Sequence, residues 1–142
     1  MRKIKLEFER GGSFEAELLD ELAPKTCQGF WDLLPLRQRV GHAKFSGHVL
    51  YIFPGITLDV MENSRCVGVI PGEILFNPHL TNKPAHPKEV IFVYGPALIR
   101  DSFGYAPSNL FARITQNVEE FTKIGKRIDE EGREYVVISR IG

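Results

Sequence analysis

Three polar side chains near position 44 alternate in a spacing that suits chemistry on one face of a strand. His42, Lys44 and Ser46 would point to the same side of an extended backbone, opposite Ala43 and Phe45. Histidine changes protonation near neutral pH, so this group could bind an anionic small molecule or activate a nucleophile. The alternative is a polar outer face of a strand, since polar side chains usually lie outward.

A second group of candidates follows a strongly apolar strand, in the irregular stretch 94–105. Loops that leave a buried strand often carry functional residues. Arg100 could clamp a carboxylate through two hydrogen bonds, and Ser102 and Asn109 could add neutral ones. The alternative is a plain crossing between strands in which Asp101 pairs with Arg100.

These two groups and their neighbours supply the predicted ligand-binding residues. They are His42, Lys44, Ser46, Tyr51, Tyr94, Arg100, Ser102 and Asn109. No catalytic residue is assigned, because serine, histidine and aspartate co-occur by chance in most chains and only geometry distinguishes a triad.

Other titratable residues receive weaker assignments. Glu73 would be a candidate base if buried, but an exposed acid in the Pro71-Gly72 turn is the commoner case. His79 and His86 lie in a proline-rich loop and are predicted to be solvated. No histidine, cysteine and acid spacing matches a metal site, so we expect neither a metal nor another cofactor.

Composition excludes several classes of function. The 142 residues are enough for one domain, 1–142, with an ordinary hydrophobic core. Lysine plus arginine and aspartate plus glutamate both number 18, so no excess charge would attract nucleic acid or an anionic membrane. No apolar run is long enough to span a bilayer, and the start of the chain does not resemble a signal peptide. A cytoplasmic location is expected.

The periodicity predicts a mainly β protein. Residues 4–8 and 14–18 alternate apolar and charged side chains around a glycine turn, which indicates an antiparallel hairpin. A helix is predicted to begin at Pro24 and to end before Pro35. Strands are predicted at 42–46, 48–53, 65–70, 73–76, 89–93, 110–115 and 135–141, with a short second helix at 118–124. About eight antiparallel strands with two short helices suggest a closed, capped barrel.

Two blocks of this sequence resemble cyclophilins. Ala23-Pro24-Lys25-Thr26, at the start of the first helix, is similar to the family's APKT. The block 110–124 is similar to the family's FGKV strand and the helix after it. The resemblance implies a cyclophilin-like β-barrel. More narrowly, HA-x-x-SG, PGE, YG and N-x-FA-x-I resemble a family of small bacterial and archaeal cyclophilin-like proteins of unknown function.

The same resemblance disfavours prolyl isomerisation. A gapless comparison of 41–51 with the family's FHRVIPGFMxQ matches His42 and Gly47 but puts Ala43 at the arginine and Tyr51 at the glutamine. In the family that arginine hydrogen-bonds the substrate amide, which alanine cannot do. The uncatalysed barrier to rotation is about 18–20 kcal/mol.

Three functions remain open from the sequence. The first is a barrel that binds, or acts on, a small polar or carboxylated metabolite. The second is a divergent prolyl isomerase, and the third is a non-catalytic assembly module, which an exposed patch of Trp31, Phe53 or Tyr105 would favour. A small-molecule ligand is the expected partner, a homodimer is compatible with all three, and neither nucleic acid nor a membrane is expected.

Overall fold

The computed structural model describes residues 1–80 and 85–142, and its main feature is a closed antiparallel β-barrel. The elements in chain order are β1 (Lys3–Phe8), β2 (Ser13–Leu18), α1 (Pro24–Leu33), β3 (Leu36–His42), β4 (Gly47–Ile52), β5 (Glu73–Asn77), β6 (Glu89–Ala97), β7 (Arg100–Asp101), β8 (Gly104–Tyr105), β9 (Asn109–Ile114), α2 (Val118–Glu131) and β10 (Glu134–Ile141). The barrel order is β1-β10-β3-β4-β6-β5-β9-β2, and β7 and β8 form a separate two-stranded sheet. The predicted barrel of about eight strands with two helices is confirmed.

The first hairpin and the first helix lie where the local sequence patterns predict them. The β1–β2 hairpin pairs Leu6 with Phe14 across the predicted turn. Helix α1 has Pro24 in its first turn, and its backbone becomes extended at Leu34, directly before a proline. Its Phe30 is fully buried against Phe111 of β9, with ring centroids 5.2 Å apart. Helix α1 therefore packs its apolar face on the barrel.

Several predicted elements and boundaries were wrong. Strand β6, predicted at 89–93, continues to Ala97. Strand β3 begins at Leu36, where an exposed arginine-rich outer face had obscured the alternation. The segment 65–70 is not a strand: it makes one isolated bridge, from Arg65 to Ser108, and lies over the barrel. Helix α2 continues to Glu131, since Ile128 extends the buried face of Phe121.

The polar alternation around position 44 was also misassigned. Strand β3 ends at His42, and residues 43–46 form the turn into β4 rather than one face of a strand. Gly47 then begins β4 at a φ of 92°, and a Cβ there would lie 2.8 Å from the Pro96 carbonyl oxygen. The ladder shifts register between Gly47 and Val49, an irregularity that the positive φ of a glycine accommodates.

A second apolar cluster lies on the outer surface of the barrel. Along β4 and β6, Leu50 and Phe92 belong to the barrel core, whereas Val49 and Ile91 face outward. Segments 65–70 and 97–106 cover these outward side chains. The cluster consists of Val49, Val69, Leu75, Ile91, Val93, Ile99, Ala106 and Leu110. This covering layer forms one side of the cavity described below. No helix in the described residues has the length and apolarity to cross a membrane.

Candidate ligand-binding site

A cavity of about 280 Å³ lies on the outer face of the barrel. Its floor includes the outward side chains of Val49 and Ile91, and the outward ring of Tyr51 lies along one wall. The β3–β4 turn, the start of β7 and the segments between β5 and β6 form its walls, and Arg133 joins them from the position directly before β10. Residues far apart in the sequence therefore meet here.

Five of the eight predicted ligand-binding residues line this cavity. They are His42, Lys44, Ser46, Tyr51 and Arg100. Tyr94 lies beneath it, almost fully buried in the barrel core and in contact with His42. Ser102 and Asn109 are absent from the lining.

Both ring nitrogens of His42 are already hydrogen-bonded within the protein. Nδ1 lies 2.8 Å from the carbonyl oxygen of Ala43, and Nε2 lies 2.6 Å from the hydroxyl oxygen of Tyr94. Burial, with a smaller contribution from Asp129, raises the pKa of Tyr94 to about 12, so this hydroxyl keeps its proton. In the arrangement that satisfies both contacts, Nδ1–H donates to Ala43 and Tyr94 donates to Nε2. His42 thus fixes the turn and presents its ring to the cavity.

Ser46 joins the two groups of residues that the sequence suggested separately. Its buried hydroxyl donates to the Arg100 carbonyl oxygen at 3.0 Å and accepts from the Arg100 backbone N–H at 3.1 Å. The backbone N–H of Leu98 also donates to the Ser46 carbonyl oxygen at 3.0 Å. These bonds hold the β3–β4 turn against β7, so Lys44 and Arg100 line the same cavity.

Three cationic side chains border the cavity without an ion-pair partner in the described residues. They are Lys44, Arg100 and Arg133, all of them exposed. Arg133 donates to the hydroxyl of Tyr51 at 3.0 Å, which leaves its charge unneutralised. Sequence analysis missed Arg133 because it follows α2, and its partner Tyr51 is 82 positions earlier.

The two histidines of the proline-rich loop belong to the cavity wall. The prediction that they are solvated was wrong for His79, which is buried with Nε2 3.1 Å from Oε1 of Glu89. Its backbone N–H donates to the Asn77 side chain at 2.9 Å, a local turn that brings the imidazole back over β6. His86 is half-buried, with its ring centroid 4.3 Å from that of His79.

Asn109 has a structural position away from the cavity. It is fully buried; its side-chain oxygen accepts the backbone N–H groups of Glu62 and Asn63, and its amide donates to the Val60 carbonyl oxygen at 2.7 Å. Asn109 therefore holds the 60–63 segment on β9. Ser102 is exposed in the β7–β8 connection.

Glu73 is buried, contrary to the expected exposed turn acid. Its carboxylate accepts from Arg113 at 3.0 Å and from the Ile70 backbone N–H at 2.8 Å. It is outside the cavity lining. Among residues 1–80 and 85–142, no group of three histidine, cysteine or acidic side chains is arranged to hold a metal ion.

Comparison with protein families gives a match over nearly the whole chain. The family model DUF3830, described as a protein of unknown function, matches residues 5–140. The chain belongs to this family. No curated protein matches it.

Solved structures similar to this DUF3830 chain share its fold. The structure of McbB in complex with tryptophan has a TM-score of 0.80 at 18% identity and covers 98% of this chain. The chain spans 45% of the McbB chain. The solution structure of a hypothetical protein from Archaeoglobus fulgidus has a TM-score of 0.66 at 22% identity, over 99% of this chain and 95% of that one.

A cyclophilin-type peptidyl-prolyl cis-trans isomerase from Cryptosporidium parvum, determined in the presence of the dipeptide Ala-Pro, is a third similar structure. Its TM-score is 0.60 at 12% identity, over 99% of both chains. The cyclophilin-like fold predicted from the sequence is thus confirmed.

Proposed function

We propose that this protein binds a small carboxylated metabolite in the cavity on the outer face of the barrel. The observation that carries the proposal is that Lys44 and Arg100, on separate segments joined through Ser46, line one cavity with Arg133. Arginine suits a carboxylate because its planar guanidinium can donate two parallel hydrogen bonds.

The balance of charge favours a ligand with one negative charge. Among the lining residues that the structure describes, three side chains are cationic and two, Glu89 and Asp101, are acidic, which leaves an excess of one positive charge when the histidines are neutral. The Glu89 carboxylate bonds to His79, and Asp101 accepts the Phe103 backbone N–H at 2.7 Å. A monocarboxylate would balance this excess.

The size of the cavity favours a small molecule. Pockets for drug-sized ligands usually have volumes of about 300–1,000 Å³. This cavity, at about 280 Å³, lies just below that range. A metabolite with a single ring or a short chain is the largest class that we expect.

A panel of small monocarboxylates and their matching amides tests the proposal. Tryptophan, whose two fused rings exceed the expected size, is added to the panel because McbB is described in complex with it. Isothermal titration should detect binding of at least one carboxylate and at least tenfold weaker binding of its amide. Arg100→Gln and Arg133→Gln should each weaken carboxylate binding about tenfold, because a charge-assisted hydrogen bond contributes roughly 1.5–3 kcal/mol.

Arg39→Gln is the matched control, since Arg39 is an exposed arginine on β3 outside the cavity lining. It should leave the affinity unchanged. The proposal is wrong if no carboxylate binds, or if an amide binds as tightly as its acid.

Prolyl isomerisation is a second candidate, supported by one observation. Ala43, which aligns with the arginine of cyclophilins, lines the same cavity. Its methyl group cannot donate a hydrogen bond to a substrate amide, so we rank this activity second. A proline-peptide assay with micromolar protein tests it: acceleration over the uncatalysed rate would support isomerisation, and an unchanged rate would exclude it.

A further inference from the structure

Four aromatic rings form a continuous row along one wall of the cavity. The ring centroid of Tyr51 lies 5.2 Å from that of Phe53, which lies 5.8 Å from that of His86. His86 in turn lies 4.3 Å from His79. All four rings line the cavity. We call this row of Tyr51, Phe53, His86 and His79 the aromatic wall.

The backbone of β3 allows the first ring of this wall to lie close to the barrel. A Cβ at Gly41 would come within 2.9 Å of Cζ and the hydroxyl oxygen of Tyr51. Glycine at this position therefore leaves room for the tyrosine ring over the strand. Phe53 is 39% exposed, which leaves part of its ring accessible to a ligand.

The two ends of the aromatic wall carry opposite charges. At one end the guanidinium carbon of Arg133 lies 6.0 Å from the Tyr51 ring centroid, and the same side chain donates to the tyrosine hydroxyl. At the other end Glu89 bonds to His79. A carboxylate is attracted to the Arg133 end and repelled from the Glu89 end, so the charges give a ligand a preferred orientation along the wall.

We propose that the ligand is an aromatic carboxylate whose ring packs against the aromatic wall and whose carboxylate lies at the Arg133 end. This inference rests on the carboxylate binding proposed above and adds the class of the carbon skeleton. Aromatic rings in edge-to-face or offset contact gain energy beyond the burial of their area. A saturated ring of similar size buries comparable area but lacks this gain.

Three probes separate the two proposals in isothermal titrations of the full chain. Phenylacetate carries the ring and the charge, cyclohexylacetate keeps the charge with a saturated ring, and phenylacetamide keeps the aromatic ring without the charge. Phenylacetate should bind about fivefold more tightly than cyclohexylacetate, which corresponds to the usual energy of one or two aromatic contacts. Phenylacetamide should bind at least tenfold more weakly than phenylacetate.

Phe53→Leu tests the wall directly, because leucine keeps an apolar side chain and removes the ring at a partly exposed position. It should abolish most of the preference for phenylacetate over cyclohexylacetate. Tyr135→Leu is the control, since Tyr135 is an aromatic residue outside the cavity lining that packs under Arg37, 3.6 Å from its guanidinium carbon. That variant should keep the preference.

Each outcome decides between the proposals. Equal affinity for the two carboxylates, with weak binding of the amide, would overturn the aromatic inference and leave carboxylate binding standing. Absence of binding by both carboxylates would overturn the aromatic inference, and carboxylate binding with it if no other acid of the panel binds. Equal binding of phenylacetamide would overturn both. A preference for phenylacetate that persists in Phe53→Leu would also contradict the aromatic wall as its cause.

Discussion

The hydroxyl oxygen of Tyr94 lies 2.6 Å from Nε2 of His42, and this contact connects the barrel core to the wall of the cavity. The backbone carbonyl of Tyr94 accepts a hydrogen bond from Thr122 of α2 at 2.9 Å. Helix α2, β6 and the end of β3 therefore meet at one buried tyrosine. Substitutions here should affect the stability of the barrel and, through His42, the turn that carries Lys44.

Tyr94→Phe removes the donor to His42 while preserving the ring. We expect the free energy of unfolding to fall by about 1–3 kcal/mol, because Nε2 of His42 loses its partner in a largely buried site. Urea denaturation measures the loss. Tyr135→Phe, at a half-buried tyrosine of β10 that keeps its ring contact with Arg37, should change stability by less than about 0.5 kcal/mol. Equal effects of the two substitutions would show that the bond to His42 contributes nothing.

The raised pKa of Tyr94 also predicts how stability changes in alkali. Burial raises it to about 12, above the ordinary value of about 10, so the folded state retains a proton that the unfolded state loses. This contribution is fully present below pH 10 or so and decreases as the pH rises toward 12. Burial likewise raises the pKa of Cys27 to about 12, which steepens the decline. The unfolding free energy of Tyr94→Phe should therefore fall less steeply with pH than that of the wild type, and parallel curves would contradict the assignment.

Gly125→Ala has two opposing effects on stability, a gain in helix propensity and a loss in packing. Alanine is intrinsically better than glycine within a helix by about 1 kcal/mol. Its Cβ, however, would overlap the ring of Tyr94, since α2 lies directly on that ring at Gly125. We expect the overlap to prevail and the variant to lose about 1–3 kcal/mol of stability, measured by thermal and urea denaturation. Lys126→Ala, at the adjacent exposed position of α2, should be neutral or slightly stabilising. A stabilised Gly125→Ala variant would contradict this packing.

Glu134→Gln removes the negative charge from an ion-pair cluster in which the carboxylate is buried and both guanidiniums reach solvent. Its carboxylate lies 2.8 Å from Nε of Arg10 and 2.7 Å from a terminal guanidinium nitrogen of Arg127, which joins the β1–β2 turn, α2 and β10. Because both guanidiniums reach solvent, removing the charge should cost about 1.5–3 kcal/mol at pH 7, as measured by urea denaturation. Glu130→Gln, at an exposed acid of α2, is the control and should have little effect.

The cost of Glu134→Gln should depend on pH. Burial by itself raises the pKa of Glu134, but hydrogen bonds from Arg127 and Arg10 outweigh it, and the net shift is downward. Its ionisation therefore stabilises the fold above the unfolded carboxyl pKa of about 4.3, and this stabilisation is lost as the pH falls through the lower folded value. The difference between wild type and variant should be constant near neutral pH and narrow below about pH 4. If the difference in unfolding free energy widened in acid, the pKa of Glu134 would be raised on folding and not lowered, which would contradict the explanation.

Asn109→Ala distinguishes a structural role from a ligand-binding one. The variant leaves the backbone N–H groups of Glu62 and Asn63 without their acceptor, so we expect a loss of about 2–4 kcal/mol in urea denaturation. Binding of phenylacetate to the folded fraction should stay within about twofold of the wild type. Ser102→Ala, at an exposed site, should change neither quantity. A stable Asn109→Ala protein with impaired binding would restore the ligand-binding role that the sequence suggested.

The parts of the fold that sequence analysis predicted depend on neighbouring residues. Alternation around a glycine turn was sufficient for the β1–β2 hairpin, and Pro24 was sufficient for the start of α1. The polar alternation at 42–46 led to a wrong prediction of a strand face. The backbone changes from strand to turn after His42, and side chains in a turn do not alternate between two faces. Periodicity identifies a face only where the regular structure continues.

Part of the candidate site could be predicted from the same local patterns. Lys44 was predicted from alternation along a strand and Arg100 from its loop, and both line the cavity although Lys44 lies in a turn. Nothing in the sequence marked Arg133 or Glu89 as a cavity residue, since a single charged residue at or next to the start of a strand is usually a plain surface residue. His79 was assigned to solvent, although its turn onto Asn77 buries it.

The sequence by itself determined the barrel, the start of α1 and the presence of Ala43 at the position that aligns with the arginine of cyclophilins, because these follow from short-range patterns and residue identity. Only the tertiary structure decided that Ser46 joins the Lys44 turn to Arg100, that Tyr51 meets Arg133, and that His42 has both nitrogens occupied. The physical reason is barrel closure: β3 pairs with β10 and β4 with β6, which brings together side chains as many as 82 positions apart. Local patterns do not encode which of these side chains meet.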